Sequence, residues 1–245
     1  MSTTPASTPP TVVLLHGAFA DASGWTGVAE RLQERGLRVV APANPLRGIA
    51  LDAEYVASVL AQIPGRVLAV GHSYGGAVLT NAATDATNVI GLVFVAAFAP
   101  AEGERLIDAV ADSKDSVLNE ALVQLQYPTG PDGQTAVEFA IDPDRFHDAF
   151  AADLPRQQTA VMAVTQRPVA ERAFTDASGP PAWKSLPCWT VVATGDTAAG
   201  ADVIRSMAER AGSAVTEIPG SHVIMMSQPQ AVADVILTAV AELGD

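Results

Sequence analysis

The chain has 245 residues, of which 49% are hydrophobic and 17% charged; this excludes a disordered protein and suits a single α/β unit. Its 14 basic and 27 acidic residues leave a net charge of −13, so neither nucleic acid nor an anionic membrane surface is an expected partner. No apolar run reaches the ~18 residues of a membrane helix, and the single cysteine, Cys188, excludes an internal disulfide and a cysteine-cluster metal site.

Residues 1–10 are mostly Ser, Thr, Pro and Ala, with no basic start and no apolar stretch. They are expected to form a flexible tail and not a signal peptide, and the protein is expected to be cytoplasmic. From residue 11 onward, short β-branched runs alternate with helical patterns. Thr11–Leu15 reads as the first strand and closes on His16-Gly17-Ala18-Phe19. A backbone N–H just past a His-Gly pair can point at a developing oxyanion, which makes Ala18 a candidate donor. His16 itself is expected to brace the loop by hydrogen bonding.

A helical pattern over Gly24–Arg35, a strand over Leu37–Ala41 and a helix over Ala53–Gln62 follow. The apolar run Val67–Val70 then leads into Gly71-His72-Ser73-Tyr74-Gly75-Gly76, and a helical pattern spans Gly75–Thr84. This is G-x-S-x-G between strand and helix, the setting of a nucleophilic serine on a strained turn. A side chain at position 71 or 75 would clash with neighbouring backbone. The Ser73 hydroxyl is held out at the end of the strand, where the following helix dipole favours negative charge. The N–H of Tyr74 is the second candidate oxyanion donor. His72, inside the turn, is expected to pack or to line the pocket.

Ile90–Ala96 is the next strand, and the alternation then breaks. Residues 100–187 carry helical patterns at Leu106–Ala111, Ser116–Gln126, Pro143–Ala152 and Arg156–Thr165. So long a stretch cannot be a structureless loop, and it is expected to be a helical lid insertion over one end of the sheet. The strand–helix pattern resumes with Cys188–Thr194, Ala201–Ala211, Ala214–Ile218 and Gln230–Leu243. The fold class is therefore α/β, a doubly wound, mostly parallel sheet whose core spans residues 11–99 and 188–245.

In proteins built around such a serine the chain order is Ser, then Asp or Glu, then His. Two histidines follow Ser73. His147 lies in the insertion beside Asp148, whereas His222 follows the strand Ala214–Ile218 and the turn Pro219-Gly220, where a general base must stand. Asp196 ends the strand Cys188–Thr194 and is the candidate acid, with Asp202 and Glu102 as rivals. Ser73, Asp196 and His222 fit one mechanism: His222 takes the proton of Ser73, which attacks an ester carbonyl, and water releases the acyl-enzyme. No metal and no organic cofactor is needed.

The chain resembles the α/β-hydrolase superfamily, and in particular the small lidded esterases related to plant salicylate methylesterases and hydroxynitrile lyases. The matching pieces are Val13-Leu14-Leu15-His16-Gly17-Ala18, Trp25, the run from Gly71 to Gly76, Val93–Pro100, Asp196, Gly220-Ser221-His222 and Gln228-Pro229-Gln230. The resemblance implies a six-stranded core lacking the first two strands of the full fold. The lyases carry a threonine after the first-strand histidine and a lysine after the catalytic histidine. Here those positions hold Gly17 and Val223, which favours the esterase reading. Relatives also carry an Ile-Pro pair shortly after the acid, where this chain has Thr197-Ala198-Ala199-Gly200.

Phe19, Phe98, Phe139, Trp183 and Met225, with Tyr74, are the candidate pocket residues. No Arg or Lys falls in the motifs, so the expected substrate is a small, neutral, apolar ester. Two alternatives use the same residues: a lyase or perhydrolase, and a small-molecule receptor that retains the triad. The sequence carries no signal of oligomeric state.

Overall fold

The computed structural model describes residues 8–244; the expected flexible tail lies largely in residues 1–7, outside the described residues. Nine strands are present among them: β1 (Thr11–Leu15), β2 (Val39–Val40), β3 (Val67–His72), β4 (Val89–Val95), β5 (Leu122–Pro128), β6 (Thr135–Ile141), β7 (Val169–Ala170), β8 (Cys188–Ala193) and β9 (Ala214–Ile218). Six of them form one sheet in the order β2-β1-β3-β4-β8-β9. Every pairing in it is parallel. The central strands are buried along their whole length, β1 as Thr-Val-Val-Leu-Leu and β3 as Val-Leu-Ala-Val-Gly-His. Continuous apolar β-branched runs suit strands covered on both faces. The edges are blunted, because β2 is two residues long and β9 carries Glu217 paired with Arg205.

The helices of the core are Thr26–Glu34, Ile49–Ala61, Tyr74–Ala82, Ala201–Arg210 and Pro229–Glu242. Each buries apolar side chains in the core, for example Val56 and Leu60, or Val232 and Ile236, all fully buried, and Tyr74–Ala82 is buried on nearly all sides. A buried side chain of this size contributes about 1.5–3 kcal/mol.

Chain order places β2 on one side of β1 and β3 on the other. The order in which strands are added therefore reverses between β1 and β3, and ligands of open α/β sheets bind at the carboxyl ends of strands at such a point.

Residues 100–187 fall between β4 and β8. They contain the helices Leu106–Ala111, Leu118–Ala121, Phe146–Phe150, Arg156–Thr165 and Arg172–Thr175, together with a second, antiparallel sheet in the order β5-β6-β7. The stretch Ser116–Gln126, expected to be helical, is helical only over Leu118–Ala121 and continues as strand β5. A local helical pattern yields here to pairing of β5 and β6, whose seven-residue register runs from Leu122↔Ile141 to Pro128↔Thr135. Arg47, from the core, holds this sheet: its guanidinium lies 2.7 Å from Glu138 of β6 and over the ring of Tyr127 in β5. Among the described residues no helix is long and apolar enough to cross a membrane.

Candidate active site

Ser73 stands between β3 and the helix Tyr74–Ala82 with φ 53° and ψ −126°. A non-glycine residue holds this backbone conformation only when its surroundings enforce it. The surroundings are glycines packed to the limit. A Cβ on Gly71 would come within 2.7 Å of Gly76 backbone, and one on Gly75 within 2.6 Å of the Leu15 carbonyl oxygen. The Ser73 carbonyl accepts from the N–H groups of Gly76 and Phe98, at 3.0 and 3.2 Å. The loop after β1 closes on the same turn, since a Cβ on Gly17 would lie 2.6 Å from the Cβ of Ser73. Among the described hydrogen bonds, the backbone N–H groups of Ala18 and Tyr74 donate to no protein acceptor.

His16 braces that loop. Its Nε2 accepts from the Asn44 N–H at 2.9 Å, and its Nδ1–H donates to the Gly17 carbonyl at 2.9 Å. Burial, assisted by the Arg167 charge, lowers its pKa. Arg167 reaches His16 from the insertion: its guanidinium lies 3.4 Å from His16 Nε2 and donates to the Asn44 carbonyl at 2.9 Å.

Asp196 and His222 meet at the ends of β8 and β9. The Nδ1–H of His222 donates to Asp196 Oδ2 at 2.7 Å, and both side chains are buried. The other carboxylate oxygen accepts from the N–H groups of Ala198 and Ala199 at 2.9 and 3.0 Å. The Thr197–Gly200 loop, which departs from the Ile-Pro pattern, thus supplies the acid with two donors of its own. The two strand ends are tied together by Gly195 N–H donating to the Gly220 carbonyl at 2.9 Å. Asp202 is placed differently: its carboxylate accepts from Ser113 Oγ and Lys114 N–H of the insertion. Glu102 is exposed. His147 lies inside the insertion, bonded to Thr159 Oγ1 at 3.0 Å.

Four further residues surround the site in roles the sequence did not reveal. His72 donates from Nε2 to the backbone carbonyl of His222 at 3.0 Å, and the two rings are 4.7 Å apart. It therefore joins the serine turn to the loop carrying His222. Burial, with the neighbouring His222 adding to it, pushes the His72 pKa well down, so the ring is neutral with its proton on Nε2. Phe150 packs 5.1 Å from the His222 ring, and Phe174 stacks at 6.3 Å on Phe19 and lies 6.4 Å from Tyr74. Both come from the insertion, whose register over the core is a tertiary property that no local pattern encodes. Asp153 holds the other side of the His222 loop, accepting from the Ser221 N–H at 2.8 Å.

The expected pocket residues divide. Phe19 joins Phe150 and Phe174 in an aromatic group, and Met225 borders a small recess of about 50 Å³ beside Phe19. Phe139 lines a larger cavity in the insertion. Phe98 is buried and contributes its backbone to the serine turn. The Tyr74 side chain is turned into the core, where its hydroxyl donates to the buried Asp52 carboxylate at 2.7 Å. Trp183 is a correction: it packs against Arg210, and its Nε1–H donates to the Pro100 carbonyl at 2.9 Å. It belongs to the seam between insertion and core. Among the described residues no three His, Cys, Asp or Glu side chains are grouped so as to hold a metal ion.

No curated protein matches the chain. Among solved structures it is similar to polyneuridine aldehyde esterase, with a TM-score of 0.78 and 20% identity over 97% of this chain and 100% of that one. It is also similar to a pyrethroid hydrolase from Sphingobium faniae JZ-2, with a TM-score of 0.77 and 22% identity over 96% and 98%. Tomato methylketone synthase I complexed with 2-tridecanone gives a TM-score of 0.75 and 22% identity over 96% and 99%. At these identities the likeness is one of fold. The model of the Alpha/beta hydrolase family matches residues 12–235. With a parallel six-stranded sheet, a strained serine turn at its point of reversal and a family match along nearly its whole length, the chain belongs to the α/β-hydrolase family.

Proposed function

We propose that the protein is a serine hydrolase that cleaves small, uncharged carboxylic esters through Ser73, His222 and Asp196. The observation that carries this reading is the enforced backbone of Ser73, φ 53° and ψ −126°, at a strand end that abuts the loop after β1. A structural role alone leaves that strain unexplained. The buried His222–Asp196 pair supports it: with Nδ1–H held by the carboxylate, the free lone pair of the neutral ring is on Nε2, the atom a general base uses.

In this reading His222 Nε2 takes the Ser73 hydroxyl proton as Oγ attacks the ester carbonyl. The oxyanion is held by the N–H groups of Ala18 and Tyr74, a donor of this kind being worth about 3–4 kcal/mol. Collapse expels the alcohol, which leaves with the proton from His222. Water, deprotonated by the same ring, then releases the carboxylic acid and restores Ser73. His72 and Asp153 act as positioning residues on the loop that carries the base. Esterase and hydrolase neighbours of the same fold favour a small-molecule substrate.

The test is release of 4-nitrophenol from short-chain 4-nitrophenyl esters by wild type and Ser73→Ala, with folding checked by circular dichroism. Turnover in wild type that is lost in the variant supports the reading. Equal turnover in both proteins, or none in folded wild type, rejects it.

A further inference from the structure

The insertion holds a cavity of about 320 Å³, within the range of small-molecule sites, ~300–1,000 Å³. All its lining residues fall between positions 107 and 175, and none is charged. Leu118, Leu122, Phe139 and Phe174 make its apolar wall. Its outer rim is open to water, since Ile107 is 38% exposed and Asn119 and Gln124 are exposed. Val110, Leu118 and Phe174 are its buried lining residues, Phe174 being 8% exposed.

Phe174 is shared with the serine turn. Its ring stacks on Phe19, the residue after Ala18, and lies 6.4 Å from the ring of Tyr74, the residue after Ser73. A chain lying in the cavity therefore meets Phe174, whose ring packs on the side chains of Phe19 and Tyr74, in the two turns that carry the candidate oxyanion donors. With no cation among the lining residues, a carboxylate or phosphate there would lose hydration with no opposite charge to offset it. An alkyl chain loses nothing polar and gains the apolar wall.

We propose that this cavity seats one uncharged, apolar arm of the substrate, with Phe174 the contact between that arm and the serine turn. The assignment rests on the esterase reading only for the identity of the ligand as an ester. The seat itself is tested without catalysis. Binding of straight-chain alcohols, from 1-butanol to 1-decanol, is measured by calorimetry on wild type and on Leu122→Trp. Leu122 is a half-buried wall residue on β5, and the tryptophan fills the cavity. Phe139→Trp on the neighbouring strand is the second variant should the first melt at a lower temperature.

Affinity is expected to rise about 4-fold per methylene in wild type, and the rise is expected to stop at a shorter chain in the filled variant. Affinity independent of length, or an identical rise in the filled variant, overturns the seat. The kinetic arms then identify the group it holds. One series lengthens the acyl chain of 4-nitrophenyl esters, and the other lengthens the alcohol of acetate esters. The arm in the cavity is the one whose kcat/KM optimum moves to shorter chains in the filled variant, and movement in neither series overturns the assignment to an ester. Length-dependent alcohol binding with no hydrolysis of any ester leaves the seat standing and rejects the esterase reading.

Discussion

Asp196 Oδ2 lies 2.7 Å from His222 Nδ1, and the two side chains, 26 residues apart in the chain, are buried together at the ends of neighbouring strands. The distance fixes which aspartate faces the imidazole. Asp202, the nearest rival in sequence, is bonded instead to Ser113 and Lys114. Asp196→Asn is expected to lower kcat about 10⁴-fold, because the amide stabilises the wrong tautomer and no longer supports the imidazolium. Asp202→Asn is expected to leave kcat within a few-fold. Steady-state kinetics on the two variants checks this, and comparable losses in both would contradict the assignment.

The strain at Ser73 depends on glycines that let backbones touch. Gly75→Ala places a methyl 2.6 Å from the Leu15 oxygen and 2.8 Å from that of His16, both fixed backbone atoms. The expected cost is about 1–3 kcal/mol or more, together with lost activity. Gly130→Ala, whose added methyl meets nothing within 4 Å, is expected to stay within about 0.5 kcal/mol of wild type. Urea unfolding of both variants measures the contrast. Equal stabilities would mean that the turn relaxes freely.

Much of this site was legible before the fold was known. The six core strands follow from apolar runs, and Gly71–Gly76 announces the turn because strand, strained serine and helix leave a local signature. Asp196 and His222 stand out in the sequence because each follows a strand, and the two side chains meet at 2.7 Å because strand ends converge. The three strands β5, β6 and β7 were missed, although Pro128-Thr129-Gly130-Pro131-Asp132-Gly133 between the first two is a turn signal. The helical pattern of Ser116–Gln126 outweighed it. The roles of His72, Phe150 and Phe174 were not legible, because each depends on which face of a distant element it meets.

Acid weakens the fold through its buried histidines. Burial pushes His72 well below the ordinary imidazole range, with His222 adding to the effect, and burial lowers His16 as well. Both stay unprotonated in the folded chain at pH values where unfolded imidazoles, near ~6.5, take up protons. The unfolded state then binds more protons than the folded one. Their contribution is full above about pH 7 and declines as the pH falls through ~6.5, by up to about 1.4 kcal/mol per pH unit for each histidine. Urea midpoints are expected to fall between about pH 7.5 and 5.5, with a shallower fall in His72→Gln. A midpoint that rises on acidification would contradict the two buried neutral rings.

In the proposed mechanism Ser73 is an activated nucleophile. Its most direct test is labelling of the wild-type protein with a fluorophosphonate, followed by mass spectrometry of the modified peptide. One adduct is expected, on Ser73, forming at least about 10²-fold more slowly in His222→Ala, where the general base is gone. No adduct, an adduct on another residue, or labelling at the same rate in His222→Ala would contradict it.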